Sequence, residues 1–403
     1  MSFLKFPVSS TVERGMMTML WLLTLAAGAL AADVLDPDDC TAFPCLIFHD
    51  EFDFLDHDVW EHEITLSGGG NWEFQAYVNN RSVSYTRDST LFIKPQLTSD
   101  WRGEAFLTSG ELNVWGLNGR GSVCTSNAFY GCNRVGTATN LINPIMSARL
   151  RTLSDFAFRY GRIEVRAKMP RGDWLRPAIW MLPQNWPYGE WPASGEIDIV
   201  ECRGNDRYGS INNQVCSSAM HWGPFWTQDF FDMTTTEYTS DFADSFHVWR
   251  IDWTSTDIKF YLDGELKMTV DPGTNFWNFA GLDSTYDNPW VAGDKMAPFD
   301  EKFYIVINLA VGGVNGFFPD GIVANKPWEN SSPHAPLDFW KGRDSWLPSW
   351  EQGEGKISEG AALKVDYVKV WKMESEQGLR SQPQHLGPVR QSNRVIVSAQ
   401  TRL

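Results

Sequence analysis

The sequence predicts an all-β fold, a sandwich or jelly roll of many short strands. Runs of alternating apolar and polar residues recur between residue 50 and about residue 372, and they are rich in Val, Ile, Tyr, Phe and Trp, as strands are. Clusters of Gly, Asn, Asp and Pro separate these runs, and helical periodicity is scarce. Many short strands with turn signals between them are typical of a sandwich or jelly roll.

Six segments show the strand pattern most clearly. One of them is followed by Asp263-Gly264 and then by another strand-like run, which is a strong hairpin signal. No linker interrupts the region that contains them. The segments are 90–95 (TLFIKP), 159–167 (RYGRIEVRA), 246–253 (FHVWRIDW), 258–262 (IKFYL), 303–308 (FYIVIN) and 363–371 (LKVDYVKVW).

The N-terminus has the pattern of a secretory signal peptide. An apolar stretch within residues 16–30 (MMTMLWLLTLAAGAL) is followed by Ala31-Ala32 and then by acidic sequence. The stretch is too short to span a bilayer and fits a cleaved signal. We therefore predict a signal peptide at 1–32 and a secreted, extracellular protein; the alternative is a signal anchor that stays attached. At the other end, residues 373–403 are polar and predict a flexible tail.

Six cysteines follow the signal segment, and in a secreted chain they predict disulfides. We favour pairs that are close in sequence, because each would close a loop rich in Gly, Asn or Pro. Their spacings do not match zinc patterns. Asn80 and Asn330 begin glycosylation sequons. The favoured pairs are Cys40–Cys45, Cys124–Cys132 and Cys202–Cys216.

Charge and aromatic content restrict the class of ligand. The 403 residues carry a net charge of −16, which argues against nucleic acid or an anionic membrane as a partner and suits a neutral ligand. The chain also has 20 Trp, 25 Phe and 11 Tyr. Tryptophans on strands make flat platforms for sugar rings, although a Trp-rich core would account for about half of the tryptophans here.

The segment 195–203 (GEIDIVECR) carries the candidate chemistry. In a regular strand, alternate side chains share a face. Glu196 and Asp198 would then face one way, and Glu201 would enter the core at a heavy cost. One extra residue, a β-bulge near residues 199–200, would return Glu201 to the face of the other two carboxylates. We therefore predict a bulge in this strand.

The spacing of the carboxylates also limits the reaction. With a bulge, Glu196 and Glu201 lie about four strand steps, roughly 13 Å, apart at Cα, and their side chains can close that to about 5 Å, as retaining glycosidases require. Crowding should raise at least one carboxyl pKa, as a general acid needs. An exposed acidic strand face or a cation site is the alternative. Tryptophans at 174, 180, 186 and 191, and the pair His221-Trp222, favour a sugar cleft.

Together, several motifs resemble glycoside hydrolase family 16 in its laminarinase-like branch, which includes animal β-1,3-glucanases and the related β-1,3-glucan recognition proteins of invertebrate immunity. The resemblance covers about residues 45–371. Its motifs here are 48–54 (FHDEFDF), 67–80 (SGGGNWEFQAYVNN), 160–172 (YGRIEVRAKMPRG), 176–183 (RPAIWMLP), 194–201 (SGEIDIVE), 220–223 (MHWG), 308–313 (NLAVGG) and 365–371 (VDYVKVW).

The resemblance implies a concanavalin-like β-jelly roll over residues 33–372, with two curved antiparallel sheets and a cleft on the concave face. It implies that Glu196 is the nucleophile, that Glu201 is the acid/base and that Asp198 orients Glu196. The bulged spacing belongs to the laminarinase branch and so points to β-1,3 linkages. The binding residues that it implies are Asn79, Arg162, Trp180, Trp191, His221 and Asn308. A structural Ca²⁺ is also expected in many members, and Glu51 and Asp366 are the candidates here; the reaction requires no cofactor.

The leading functional hypothesis is a monomeric, secreted, retaining endo-1,3-β-glucanase that acts on laminarin-type β-1,3-glucan by double displacement. The alternative is a non-catalytic β-1,3-glucan pattern-recognition protein, which the tryptophans would serve equally well. A third hypothesis, a transglycosylase of the same fold, passes the covalent intermediate to a sugar instead of water. Neither nucleic acid nor membrane is expected as a partner.

Overall fold

The computed structural model describes residues 31–116 and 123–374, in which β-strands predominate and the predicted all-β jelly-roll fold is confirmed. The strands are β1 (Asp33–Val34), β2 (Cys45–Asp50), β3 (Glu61–His62), β4 (Gln75–Tyr77), β5 (Ser84–Thr86), β6 (Leu91–Ile93), β7 (Gln96–Leu97), β8 (Glu111–Asn113), β9 (Asn133–Val135), β10 (Ile145–Ser147), β11 (Arg149–Arg151), β12 (Gly161–Lys168), β13 (Leu175–Pro183), β14 (Glu196–Cys202), β15 (Val215–His221), β16 (Thr235–Thr239), β17 (His247–Trp253), β18 (Ile258–Leu262), β19 (Glu265–Val270), β20 (Phe303–Val311) and β21 (Leu363–Lys372).

Helices are short and few among the described residues. The α-helices are α1 (Thr98–Arg102), α2 (Phe106–Ser109), α3 (Phe276–Phe279), α4 (Ala335–Lys341) and α5 (Arg343–Glu351). Single 3-10 turns span Pro37–Asp39, Gly69–Asn71, Ala128–Tyr130, Phe231–Met233 and Glu359–Ala361.

Two large sheets form the sandwich. The first has nine strands, in the order β1-β2-β21-β12-β17-β18-β19, with β6 also paired to β21 and β5 to β6. The second has seven strands, in the order β16-β15-β14-β13-β20-β11-β3. Smaller sheets are β4-β10-β7 and β8-β9, and the pair β4–β10 is parallel while the other pairs are antiparallel. The acidic strand, β14, is the third of the seven strands and is flanked by β15 and β13.

The core lies between the two sheets and is formed by the buried apolar side chains that alternate with more exposed ones along the strands. On β12, Ile163 and Val165 are buried whereas Arg162 and Glu164 are partly exposed. On β13, Ile179 and Met181 belong to the same core cluster. The opposite face of the seven-stranded sheet has its own small apolar cluster around Leu182, Tyr304 and Val306. Each face of that sheet therefore has a distinct environment.

The strand predictions are confirmed at all six segments, and Asp263-Gly264 joins β18 to β19 as a hairpin. Both turn residues have positive φ, 49° and 83°, which suits the hairpin turn. Helices α4 and α5 were not predicted. Trp346 and Trp350 lie four residues apart on α5, so both enter the core from one side.

The cysteine pairing and the burial of the tryptophans follow the sequence predictions. All three sequence-local disulfides are formed. Eleven of the 20 tryptophans are buried, which agrees with a core role for about half of them. Trp174 is one of these, so it does not flank the carboxylates. The predicted signal peptide, apart from Ala31 and Ala32, and the tail beyond residue 374 lie outside the described residues. Within the described ranges, no helix has the length and apolarity needed to cross a bilayer.

Candidate active site

A β-bulge in β14 places the three carboxylates on one face, as predicted. Ala178 of β13 is paired with Glu201 and Trp180 with Asp198, so β14 has one residue more than β13 between these pairs. The register on β15 shifts at the same point, between Asp198 and Glu201. Residues opposite each other in antiparallel strands point to the same side of the sheet. The extra residue therefore brings Glu201 back to the side of Glu196 and Asp198. We call this side of the seven-stranded sheet the carboxylate face.

The predicted residue His221 lies at the centre of a buried charge network on this face. It is paired in register with Glu196. Its Nδ1 lies 2.6 Å from Asp229 Oδ2, and its Nε2 lies 3.3 Å from Asp198 Oδ2. Burial disfavours the imidazolium, but the hydrogen bonds to Asp198 and Asp229 outweigh it and raise the pKa of His221 to about 12. His221 is therefore a positive charge between two carboxylates.

Glu196 is held in place by a second predicted residue. Trp191 Nε1 donates a hydrogen bond to Glu196 Oε2 at 2.8 Å. Burial, followed by repulsion from Asp198, raises the pKa of Glu196 to about 8, although His221 opposes the shift. The pKa of Asp198 is also raised, mainly by burial. Burial and the neighbouring carboxylate therefore favour the protonated form of Glu196.

Glu201 has a different partner, which the sequence analysis missed. Arg176 of β13 donates to Glu201 Oε1 from Nη2 at 2.6 Å and from Nε at 3.1 Å. Its Nη1 lies 3.3 Å from Glu73 Oε1. A charged residue inside the apolar run 175–183 was the only sequence signal for this ion pair.

Trp180 and Asn308 form a polar link across β13 and β20. Trp180 Nε1 donates to Asn308 Oδ1 at 2.7 Å, and Asn308 Nδ2 donates to the Tyr77 hydroxyl at 3.2 Å. The Arg149 guanidinium lies 4.5 Å from the Trp180 ring centroid, so one part of that ring is already covered. Tyr77 and Arg149 are further residues of this face that the sequence analysis missed.

The predicted binding residue Arg162 does not lie on the carboxylate face. Arg162 lies on β12 of the nine-stranded sheet, among the alternate residues that face away from the core. It forms a bidentate ion pair with Asp252 at 2.6 and 2.9 Å. Its assignment to the cleft was wrong, because the polar face of β12 is the outside of the sandwich. Asn79 is exposed beyond the end of β4 and accepts a hydrogen bond from Arg81 at 3.3 Å.

Glu51 and Asp366 do not fit the calcium site that the sequence analysis assigned to them. Glu51 is paired with Lys369 at 2.7 Å, and Asp366 with Arg166 at 2.5 Å. Calcium takes six to eight oxygen ligands, whereas here each carboxylate is already neutralised by its own cation.

The carboxylate face does not fit a metal site either. Among the described residues, one group of His, Cys, Asp and Glu side chains is close enough to share an ion, namely Glu196, Asp198 and His221, whose ligand atoms lie within 4.8 Å of one another. A metal needs a free, unprotonated imidazole nitrogen, but Nδ1 and Nε2 of His221 are each already engaged by a carboxylate, at 2.6 Å from Asp229 and 3.3 Å from Asp198. The imidazolium itself supplies the positive charge there.

Solved structures share this fold. The catalytic domain of an endo-1,3-β-glucanase (laminarinase) from Thermotoga petrophila is 21% identical with a TM-score of 0.51, over 82% of this chain and 98% of that one. An endo-β-1,3-glucanase from Pyrococcus furiosus is 24% identical with a TM-score of 0.51, over 81% and 94% of the two chains. At such identities, the likeness concerns the fold alone.

Sequence relatives extend the comparison. A β-1,3-glucan-binding protein of Penaeus monodon is 68% identical over 88% of this chain and 98% of its own length. β-1,3-Glucan-binding protein 2 of Manduca sexta is 31% identical over 81% of this chain but only 64% of its own length. The family model for glycosyl hydrolases family 16 matches residues 125–286, which include all three carboxylates. The chain therefore belongs to glycoside hydrolase family 16, among relatives that include invertebrate β-1,3-glucan-binding proteins.

Proposed function

We propose that this protein binds β-1,3-glucan along the carboxylate face. The observation that carries the proposal is the combination of an exposed indole with fixed hydrogen-bonding groups on that face. Trp191 is 37% exposed, donates a hydrogen bond to Glu196, and has its ring centroid 5.6 Å from that of His221. A flat ring beside oriented polar groups is the arrangement that holds a neutral sugar. The names of the shrimp and moth relatives support the same ligand.

Further aromatic rings extend this platform. Phe231 stacks on His221 with ring centroids 5.1 Å apart and is itself 38% exposed. At the Glu201 end, Trp72 directly precedes Glu73, which is paired with Arg176. The rings of Trp72 and Phe129 are both exposed, and their centroids lie 4.5 Å apart. Exposed rings therefore lie towards both ends of the acidic row. An extended polysaccharide with several consecutive sugars suits such a row better than a single small ligand.

Replacing Trp191 with alanine should weaken glucan binding by at least roughly tenfold, a change of about 1.4 kcal/mol, because the exposed ring and its hold on Glu196 are lost together. Isothermal titration calorimetry with a soluble β-1,3-glucan oligosaccharide measures the change. Trp101→Ala is the matched control, since Trp101 is 51% exposed and its ring contacts Arg102 on α1. Equal affinities for the wild type and Trp191→Ala would contradict the proposed platform.

We also infer that the protein works outside the cell. The signal-like N-terminus and the three disulfides support this, because disulfides persist in oxidising compartments. The net charge of −16 suits a neutral ligand in that setting.

Retaining endo-hydrolysis of β-1,3-glucan is the second candidate function. It is favoured by the presence of Glu196, Asp198 and Glu201 together on one face. In this reaction, a Glu196 carboxylate oxygen attacks the anomeric carbon while Glu201 protonates the leaving oxygen. Glu201 then removes a proton from the water that releases the sugar from Glu196. The protein would be an endo-1,3-β-glucanase.

Reducing-end release from laminarin, lichenan, curdlan and agarose tests the second candidate. If the protein is an enzyme, the wild type should act on the β-1,3-linked polymers, and Glu196→Gln should lower the rate at least roughly a thousandfold, as loss of a covalent nucleophile does. A wild type no more active than Glu196→Gln would leave glucan binding as the function. Products longer than an oligosaccharide substrate would instead indicate transglycosylation.

A further inference from the structure

Arg176 is a cation built into the carboxylate face beside the residue that hydrolysis would use as its acid. It projects from β13, and β13 lies next to β14. Two of its nitrogens converge on the same oxygen, Glu201 Oε1, at 2.6 and 3.1 Å. The ion pair is well shielded, since the side chains of Arg176 and Glu201 are only 12% and 15% exposed.

Several groups fix the guanidinium at this position. Glu73 accepts from its third nitrogen at 3.3 Å, and Glu73 is itself held by Asn71 and Gln75. The Phe317 ring lies 4.1 Å from the guanidinium carbon. Burial disfavours the charge, but Glu201 and Glu73 outweigh it and raise the pKa of Arg176 above its ordinary value. Arg176 is therefore a permanent charge with little freedom to leave Glu201.

The resulting charge pattern is the reverse of what glycosidic bond cleavage needs. Two charged N–H groups of Arg176 donate to Glu201 Oε1, so this oxygen acts as an acceptor, yet cleavage requires Glu201 to donate a proton to the leaving oxygen. The attacking residue, Glu196, must be a carboxylate, but burial and Asp198 raise its pKa to about 8. The surroundings of both glutamates are therefore the opposite of what cleavage needs.

We propose that Arg176 is a positioning residue that engages Glu201 Oε1 with two N–H groups and thereby suppresses glycosidic bond cleavage, so that the face retains glucan without cutting it. This proposal rests on the glucan binding proposed above and explains how a complete set of carboxylates can serve a binding protein. The suppressed step is the transfer of a proton from Glu201 to the glycosidic oxygen. In that step the bond between this oxygen and the anomeric carbon breaks, while a Glu196 oxygen bonds to the carbon.

The test is Arg176→Met, which keeps most of the side-chain volume and removes the charge. The variant should bind laminarin as the wild type does and release reducing ends at least roughly tenfold faster at pH 6, since general acid catalysis contributes about a hundredfold or more. The gain should lie in kcat, with KM unchanged, because the suppressed interaction is one made in the transition state. A substitution that merely loosened the structure would not raise kcat.

Two further variants separate charge from structure. Arg176→Lys keeps a cation beside Glu201 and should keep the low rate. The double variant Glu73→Gln, Arg176→Met removes both partners of the second ion pair, so it avoids leaving Glu73 buried without a counter-charge. Arg162→Met is the matched control for loss of an arginine from an ion pair, because Arg162 pairs with Asp252 on the other sheet; it should keep the wild-type rate.

The possible outcomes are distinct. If Arg176→Met or the double variant folds and binds glucan but hydrolyses it no faster than the wild type, the proposed role of Arg176 is wrong. A wild type whose kcat for laminarin already lies in the usual enzyme range, roughly 1–1,000 per second, would also overturn this role. That measurement requires only the wild-type protein. Failure of the wild type to bind laminarin would instead refute the proposed function.

Discussion

Replacing His221 with leucine is expected to lower the free energy of unfolding by about 3–5 kcal/mol, the usual effect of removing one partner from a buried ion pair. Asp198 is only 2% exposed, and its Oδ2 has His221 Nε2 at 3.3 Å. Asp229 loses the same partner at 2.6 Å. Leucine fills much of the space of the imidazole, so the loss of stability reflects charge more than packing.

Thermal or denaturant unfolding at pH 7 measures this loss, and His247→Leu is its matched control. His247 also lies between two aspartates, Asp241 at 3.2 Å and Asp263 at 2.7 Å, but these are 54% and 48% exposed. Water can solvate them when the histidine is removed, so we expect a loss of at most about 1 kcal/mol there. Similar losses in the two variants would contradict a buried charge network around His221.

Replacing Glu196 with glutamine is expected to stabilise the protein by about 2 kcal/mol at pH 9. Each unit of pKa shift corresponds to about 1.4 kcal/mol, and the expected gain is smaller than the full shift would give because Glu196 and its neighbours titrate together. The pKa of Glu196 is raised from its ordinary 4.5 to about 8. The folded state therefore holds a proton that the unfolded state releases above pH 4.5. This contribution to stability is complete below pH 4.5 and is lost as pH rises through about 8.

His221 acts in the same direction over a higher range. Its pKa is raised from 6.5 to about 12, so its contribution is complete below pH 6.5 and declines as pH rises towards 12. The melting temperature of the wild type should therefore fall between pH 5 and pH 9, and that of Glu196→Gln should fall less. Parallel curves for the two proteins would show that Glu196 does not titrate between those limits.

The same variant links stability to function. Residues held in unfavourable electrostatic environments are common at sites of binding and catalysis. If Glu196→Gln is more stable at alkaline pH and still binds glucan, the strain at Glu196 is not needed for binding. Together with the rate measurements on Arg176→Met, this separates the requirements of binding from those of hydrolysis on one face.

Much of the site could be predicted from residues that are neighbours in sequence. The alternation in segment 195–203 required a bulge to keep Glu201 out of the core, and the structure has its extra residue there. The three disulfides join cysteines separated by 5, 8 and 14 residues. In each case the constraint is local, because the pleat of one strand or the closure of one short loop determines the outcome.

The position of Arg162 shows the limit of this reasoning. Alternation on β12 correctly places Arg162 on a polar face, but a period of two residues does not reveal whether that face lines the site or the outside of the sandwich. The order of strands decides it. β12 belongs to the nine-stranded sheet, and the carboxylates belong to the other sheet.

By itself, the sequence determined six of the strands, the need for a bulge and the identity of the acidic row, and it favoured the disulfide pairs that form, because these depend on side chains that lie close along the chain. Only the tertiary structure decided which charges meet. Arg176 and Glu201 are 25 residues apart, and Arg176 and Glu73 are 103 residues apart. Their contacts arise from strand pairing and from the approach of a distant loop. Because these residues are distant along the chain, only the fold could show that Glu201 is held by Arg176 and that Arg176 is held in turn by Glu73.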